Sequence, residues 1–348
     1  MGDELGKIFA QSLDGMPYLE DLNVANNKLK DPGLEAIILA LSRCHLIKSL
    51  NLSDNKVDTR ASAALAKYLG SPACNLIRLI LNSADVDDNE VDLFADAINH
   101  RKTIKYLDLS HNLLGSHELQ LQINEGQVTG GAVIGRLIQK PDCVVTTMIL
   151  SWNMIRMSGA VSLAKALKLN NSITHLDLSY NSLGLEAGEI LGDVLHTHKT
   201  LTYLNISNNN IKPRACFTIL SGLRSSETLK EIDISSNQLG MAGARSLTAM
   251  NFSPETSVIE KNVIINGCTF KMINDDCWFD ITKTLQEYKL DLSVPYERAG
   301  NTNTNTNTNT NTNIYNNTYT NTNSNINNNI NTNTNINTNT NTNINSIR

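Results

Sequence analysis

Residues 173–183 read ITHLDLSYNSL, and residues 201–211, which begin 28 positions later, read LTYLNISNNNI. Both stretches fit the template L-x-x-L-x-L-x-x-N-x-L, in which L stands for any aliphatic residue. Outward from this pair, the template occurs eight times, with successive copies 28 or 29 residues apart except for one interval of 41. The copies are Leu19–Leu29, Ile47–Val57, Leu76–Val86, Ile104–Leu114, Val145–Ile155, Ile173–Leu183, Leu201–Ile211 and Leu229–Leu239. A fixed period of this length predicts a repeat architecture.

Each repeat combines the pattern of a strand with the pattern of a helix. The second and third aliphatic positions alternate with polar residues, which is typical of a short strand with one buried face. After the asparagine the spacing becomes helical, as in Gly159–Leu167, where Ala160, Leu163, Ala164 and Leu167 share one face. The sequence therefore predicts an α/β horseshoe solenoid of about eight 28-residue repeats. Its parallel sheet forms the concave face and its helices form the convex face.

The template asparagine has a structural role in this prediction. Its side-chain amide is expected to bond backbone groups of adjacent turns and so to form a ladder along the stack. The third copy has Ala84 at this position. We expect the bonds at Ala84 to go to water or to a shifted backbone.

These motifs resemble the ribonuclease-inhibitor-like class of leucine-rich repeats, which includes ribonuclease inhibitor and the Ran GTPase-activating proteins. The stretch LSWNMIRMSGAVSLAKALKLNNSITHLDLSYNSLG, Leu150–Gly184, is most similar to cytosolic proteins that are named only as leucine-rich-repeat-containing. The resemblance covers about residues 19–250 and implies the horseshoe fold. It implies little about function.

The composition divides the chain into four parts. We expect a capping helix at residues 1–18, the repeats at 19–250, and a C-terminal cap at 251–300 that includes Phe252, Phe270, Trp278 and Phe279. Residues 301–348 contain 23 Asn and 14 Thr, and this low-complexity tail is predicted to be disordered. The long 41-residue interval places an insertion at about residues 115–129, in a strand-to-helix connection that often carries binding loops. The insertion is either a partner-contacting flap or a neutral surface excursion.

The same composition argues against several functional classes. The chain carries 29 Lys and Arg against 34 Asp and Glu, without the basic stripe of a nucleic-acid binder. The chain shows no secretory signal, membrane span, metal-ligand spacing or phosphate-binding loop. His196 and His198, and the doublet Asp87-Asp88, are interpreted as solvated groups rather than as metal or acid–base sites. We therefore predict a cytoplasmic, monomeric, non-enzymatic protein without cofactor or metal.

Candidate binding residues come from stacking the repeats in register. The exposed strand positions then bring aromatic residues of the fourth to seventh repeats together with acidic ones. Aromatic side chains provide much of the energy at protein–protein interfaces, so this patch is the predicted site, although a half-buried sheet face also tolerates such residues. The predicted protein-binding residues are Tyr106, Asp108, His111, Trp152, His175, Asp177, Tyr180 and Tyr203.

Three functions are compatible with these features. The first is an intracellular scaffold that binds a protein partner through the concave face and the insertion. The second is a structural subunit of a ciliary, axonemal or other cytoskeletal assembly, which rests on analogy within the class. The third is a GTPase-activating protein of the Ran type. The sequence disfavours this third function, because those proteins carry a long acidic segment after the repeats and Asn301–Arg348 has no acidic residue.

Overall fold

The computed structural model of the chain describes residues 2–119, 128–240, 243–244, 247, 261–271 and 278–280. Its centre is one parallel sheet of nine strands whose order in space is their order in sequence. The nine strands are β1 Asp21–Asn23, β2 Ser49–Asn51, β3 Arg78–Ile80, β4 Tyr106–Asp108, β5 Thr147–Ile149, β6 His175–Asp177, β7 Tyr203–Asn205, β8 Glu231–Asp233 and β9 Asn262–Ile264. The predicted α/β repeat architecture is confirmed, and the sheet continues one strand beyond the eight template copies.

A helix precedes β1, and a helix connects each pair of successive strands up to β8. These helices are α1 Gly2–Ser12, α2 Asp31–Ala40, α3 Thr59–Gly70, α4 Asp88–Ile98, α5 Gly130–Ile138, α6 Met157–Leu167, α7 Gly184–Thr197 and α8 Pro213–Ser225. Single 3₁₀ turns lie at Leu13–Gly15, Leu41–Arg43 and Ser116–Leu119. A short antiparallel pair, β10 Thr269–Lys271 and β11 Trp278–Asp280, follows β9.

The core lies between the sheet and the helices. The middle residue of each strand from β1 to β8 is buried, while its two neighbours are exposed or half-buried. Each strand therefore contributes one side chain to the core of its own repeat. Leu50, Leu79 and Leu107, on three adjacent strands, are fully buried. The apolar spacing of the template therefore positions the polar strand residues on the solvent-exposed face of the sheet, opposite the core.

The asparagine ladder is present as the sequence predicts. The Nδ2 group of Asn181 donates to the carbonyl oxygens of Leu150, Leu178 and Ser179 at 2.9, 3.0 and 3.2 Å, and its Oδ1 accepts from the amide of Ile155 at 3.0 Å. Asn112 and Asn237 form the same bonds in their repeats. One amide side chain thus ties two turns together.

At the position without asparagine, the backbone forms the bond. The amide of Val57 donates to the carbonyl oxygen of Ala84 at 2.9 Å, whereas the equivalent amide of Leu29 donates to the Oδ1 of Asn55. Of the two alternatives expected for Ala84, the structure shows the backbone one for this amide. The ladder continues beyond it, because the Oδ1 of Asn112 accepts from the amides of Ala84 and Val86.

Carboxylates link the N-termini of successive helices. The Oδ1 of Asp3 on α1 accepts from the amide of Lys30 at the start of α2, at 2.8 Å. Asp31, 28 residues later, accepts from the amides of Arg60 and Ala61 at the start of α3, both at 2.9 Å. Each carboxylate lies near the positive end of the next helix. Helix α1 therefore follows the geometry of the repeat helices and packs on α2 as they pack on one another.

Several predicted features lie outside the described residues. These are the side chains of Phe252, Phe270, Trp278 and Phe279 in the C-terminal cap, and the Asn/Thr tail at residues 301–348. Residues 120–127, in the centre of the insertion, also lie outside the described part.

The two ends of the insertion are described, and both are held by buried carboxylates. Asp88 on α4 is fully buried and accepts from the backbone amides of Gly115, His117 and Gly130. On the other side, Oε1 of the buried Glu118 accepts from the amide of Gly159 at 2.9 Å, at the start of α6. The interpretation of Asp87-Asp88 as solvated was wrong for Asp88, because the insertion covers that carboxylate.

Candidate functional site

Strand register arranges the polar residues of the sheet in rows. The first row contains the first residue of each strand, and Tyr106, Thr147, His175 and Tyr203 follow one another in it as register partners on adjacent strands. The second row contains the third residue of each strand, where Asp108, Ile149, Asp177, Asn205 and Asp233 are successive partners. The equal lengths of the repeats bring residues 28 positions apart into neighbouring places.

A third row lies in the turns that follow the strands, three residues beyond each strand end. All eight of its members have left-handed backbone, with φ between 51° and 56°. This conformation is uncommon for residues other than glycine, asparagine and aspartate, and it is strained for bulky ones. The members are Asn26, Asp54, Ser83, His111, Trp152, Tyr180, Asn208 and Ser236.

The turn geometry of the third row is imposed by neighbouring repeats. The amide of His111 donates to the carbonyl of Ser151 at 2.9 Å, and the amide of Trp152 donates to that of Ser179 at 3.0 Å. The ladder asparagine comes directly after seven of the eight third-row residues and fixes the same turn; Ser83 is followed by Ala84 instead. Large aromatic residues at His111, Trp152 and Tyr180 therefore occupy a conformation that their own backbone preference does not favour.

These three residues form a continuous ring stack, which we call the aromatic stack. The rings of His111 and Trp152 lie 5.3 Å apart with an interplanar angle of 11°, and those of Trp152 and Tyr180 lie 3.9 Å apart at 10°. Trp152 is still 48% exposed and Tyr180 40% exposed. The stack therefore exposes aromatic side chains to solvent at the carboxyl ends of β4, β5 and β6, next to the start of the insertion.

The other predicted aromatic residues form two separate contacts. His175 and Tyr203 stack at 5.9 Å with an angle of 22°. Tyr106 is separated from them by Thr147 on β5 and instead contacts Arg78, whose guanidinium carbon lies 4.2 Å from the ring centroid. The structure thus divides the predicted aromatic patch into three parts. Arg78 was missed in the sequence, although its place in the first row beside Tyr106 could have indicated it.

The second row gives the sheet face a negative character. The Oδ1 atoms of Asp108, Asp177 and Asp233 accept from the amides of the serines two residues later, at 2.8 to 2.9 Å. Burial raises the pKa of Asp177, and the charges of Asp233 and Asp108 raise it further, against the lowering effect of the Ser179 hydrogen bonds. Burial first and then the Asp177 charge raise the pKa of Tyr203. A cationic group placed here would relieve this repulsion.

The second histidine of the pair His196 and His198 was interpreted wrongly. His198 is buried, and its Nδ1 accepts from the amide of Leu201 at 3.1 Å in the turn before β7. Burial lowers the pKa of its imidazole. Asn170 and Ser226, each 28 residues away, cap the equivalent turns, with their side-chain oxygens accepting from the amides of Ile173 and Leu229. His198 is therefore a structural cap, and the 28-residue spacing was the signal that could have shown it.

The described residues also bear on metal binding and on membrane insertion. In the part of the chain that the structure describes, no three His, Cys, Asp or Glu side chains come together as a metal site would require. Within the same residues, every helix is too short or too polar to cross a lipid bilayer.

Comparison with known families identifies the repeat. A family model described as "Leucine Rich repeat" matches residues 15–37, 169–191, 197–219 and 225–247. The chain contains leucine-rich repeats. Its 28-residue period is compatible with the ribonuclease-inhibitor-like class, a subdivision that the matching model does not specify.

Several curated proteins share the leucine-rich-repeat region. NACHT, LRR and PYD domains-containing protein 4C of Mus musculus is 26% identical over 155 residues, which cover 44% of this chain and 14% of that protein. NACHT, LRR and PYD domains-containing protein 5 of Homo sapiens is 26% identical over 173 residues, which cover 45% of this chain and 13% of that protein. The matched region thus spans about one seventh of the length of these relatives.

A solved structure also aligns with the leucine-rich-repeat protein. It belongs to the crystal structure of the Rad7 and Elc1 complex in yeast, with a TM-score of 0.44 and 13% sequence identity. The alignment covers 78% of this chain and 70% of that one.

Proposed function

We propose that this leucine-rich-repeat protein is a non-enzymatic scaffold that binds a partner protein through the aromatic stack and the neighbouring acidic row. The observation that carries the proposal is the half-exposed stack of His111, Trp152 and Tyr180 in left-handed turns. Strained residues that remain exposed cluster at functional sites. Leucine-rich-repeat proteins commonly mediate protein–protein interactions, which agrees with this function.

The charges beside the stack indicate the character of the partner surface. Asp108 and Asp177 are the last residues of β4 and β6, three positions before His111 and Tyr180 of the stack. Carboxylates attract cations. The chain already places one guanidinium on this sheet, that of Arg78 over Tyr106. We therefore expect the partner to contribute an arginine or lysine next to apolar side chains.

The predicted site residues have different weights in this proposal. Trp152 and Tyr180 are the anchors, because Trp and Tyr dominate binding energy at interfaces. His111 extends the stack, and Asp108 and Asp177 favour a positively charged side chain of the partner. Tyr106, His175 and Tyr203 form the more distant part of the contact surface. The proposal includes a monomeric chain that acts in the cytoplasm without a cofactor.

A matched pair of variants tests the site. The double variant W152A/Y180A removes the anchors, while F217A removes a phenylalanine on α8 that has the same 48% exposure as Trp152. Affinity capture from cell extract with each chain as bait, followed by quantitative mass spectrometry, should return a protein that wild type and F217A capture and W152A/Y180A does not. Circular dichroism should be equal for all three baits. Equal capture of every protein by W152A/Y180A and wild type would contradict the proposed site.

A further inference from the structure

The residue that precedes the strand differs between β2–β4 and β5–β7. In β5, β6 and β7 it is a threonine: Thr146, Thr174 and Thr202 donate their hydroxyls to a carbonyl oxygen of the preceding repeat, at 3.0 to 3.1 Å. The hydroxyls of these threonines therefore form their hydrogen bonds within the sheet. In β2, β3 and β4 the same position holds Lys48, Ile77 and Lys105, which are exposed. The strands β2–β4 and the strands β5–β7 therefore present different chemistry at their amino ends.

A cavity of about 440 Å³ lies beside these three residues. Leu46 and Ile77 give it an apolar surface, and they are 43% and 40% exposed. Lys48, Lys102 and Lys105 also line it, and none of its lining residues is acidic. The hydroxyl of Thr103, another lining residue, is buried and has no hydrogen-bond partner within the described residues. The cavity thus combines an aliphatic surface with ammonium groups and an unused polar atom.

Carboxylates of the chain already pair with two of the three lysines. The Nζ of Lys48 lies 2.7 Å from a carboxylate oxygen of Glu20, and the Nζ of Lys102 lies 3.4 Å from one of Asp142. Both pairs are solvent-exposed, and exposed ion pairs are readily exchanged for another carboxylate. Lys105 forms no ion pair among the described residues. An incoming carboxylate would therefore be met first by Lys105.

We propose that this cavity is a second docking site, which binds a short segment of a partner protein that carries a carboxylate side chain next to an aliphatic one. The carboxylate pairs with Lys105 and with Lys48 or Lys102. The aliphatic side chain covers Leu46 and Ile77. Charge complementarity selects this occupant, because the lysines give the cavity a positive charge. This charge is opposite to that of the acidic row at Asp108 and Asp177. The site lies at the amino ends of β2–β4, whereas the aromatic stack lies at the carboxyl ends of β4–β6, so the two proposals stand independently.

A peptide probe tests the cavity directly. The probe is the fluorescein-labelled octapeptide Gly-Glu-Leu-Glu-Ile-Glu-Leu-Gly, and its isostere has glutamine at each glutamate. Fluorescence anisotropy with the full chain should show saturable binding of the glutamate peptide, and at least tenfold weaker binding of the glutamine peptide. The variant K105E should weaken the glutamate peptide at least tenfold. The control K168E reverses an exposed charge directly after α6 and should change affinity less than twofold.

Cross-linking then locates the bound carboxylate. A carbodiimide reagent joins a carboxylate to a nearby lysine amine, and peptide mapping should find the probe on Lys105, Lys48 or Lys102. Laurate, which carries a carboxylate on an aliphatic chain, is added as a competitor. Equal affinity of K105E and wild type, or cross-links distributed over all surface lysines, would overturn the proposal. Binding of laurate without binding of the peptide would also overturn it, since the site would then take a lipid.

Discussion

At the scale of the residue, Trp152 best illustrates how the repeat imposes a conformation. Its φ of 55° places a large side chain in a region that costs an L-residue about 1–2 kcal/mol. The turn bonds of the asparagine ladder and the ring contacts with His111 and Tyr180 offset that cost. An exposed tryptophan at such a position is more easily explained by binding than by stability.

The strain at Trp152 can be measured with two substitutions that both remove the stack. W152G should have a larger free energy of unfolding than W152A, by about 1 kcal/mol, because glycine adopts positive φ without a steric penalty. Urea unfolding followed by circular dichroism measures the difference. Leu93, exposed on α4, is the control: there the alanine variant should be the more stable one, because glycine disfavours helix. W152A as stable as W152G would show that the turn is not left-handed in solution.

His198 gives a prediction on pH dependence. Burial lowers the pKa of its imidazole, so below the ordinary histidine value of about 6.5 the unfolded chain binds a proton that the folded chain does not. The free energy of unfolding should therefore decrease as the pH falls from about 6.5. H198N, which installs the cap found at Asn170, should reduce this slope. Chemical unfolding at pH 5 to 7 measures it, with H100N, at an exposed histidine, as the control. Equal slopes for H198N and wild type would refute the assignment.

At the scale of the element, the insertion is fixed through helix α4. Asp88 accepts hydrogen bonds from three backbone amides at the two ends of the insertion, and Glu118 accepts one from the amide of Gly159 at the start of α6. Both carboxylates lie where helix N-termini leave amides without intrahelical partners. The insertion therefore begins and ends at defined positions, and it lies at the same end of the strands as the aromatic stack.

The variant D88N tests this attachment. An asparagine retains one acceptor oxygen and turns an amide group toward backbone N–H donors, so the free energy of unfolding should fall by about 1–3 kcal/mol. Hydrogen exchange at Gly115, His117 and Gly130 should accelerate more than exchange elsewhere. D92N, at a half-buried carboxylate on the same helix paired with Arg136, should cost less than about 1 kcal/mol. Unchanged exchange at those three amides in D88N would contradict the attachment.

At the scale of the whole molecule, the repeat period determined what could be predicted from the sequence. The strands, their order, the buried Leu positions and the rows of the sheet all follow from the template and its 28-residue spacing, because each repeat contacts mainly its neighbours. The separation of Tyr106 from His175 by Thr147 was also implied by that spacing. The eight predicted binding residues were also derived from that spacing, and their role in binding is a proposal.

Contacts outside the template could not be predicted in this way. The burial of Asp88 depends on an insertion that is not periodic. The left-handed turn at Trp152 depends on hydrogen bonds to the next repeat. Each of these is set by neighbouring chain segments rather than by the local pattern.

The most direct test of the central claim uses the fluorescence of Trp152 itself. The chain has two tryptophans, Trp152 and Trp278, so the variant W278F leaves only the one in the stack. The partner identified by capture is added to this variant, and acrylamide quenching of the tryptophan emission is measured. The excitation wavelength is one that the partner does not absorb, or the partner used is free of tryptophan. Binding should lower the quenching constant at least twofold and shift the emission to shorter wavelength. A partner that binds the variant without changing either quantity would show that the aromatic stack is not the binding surface.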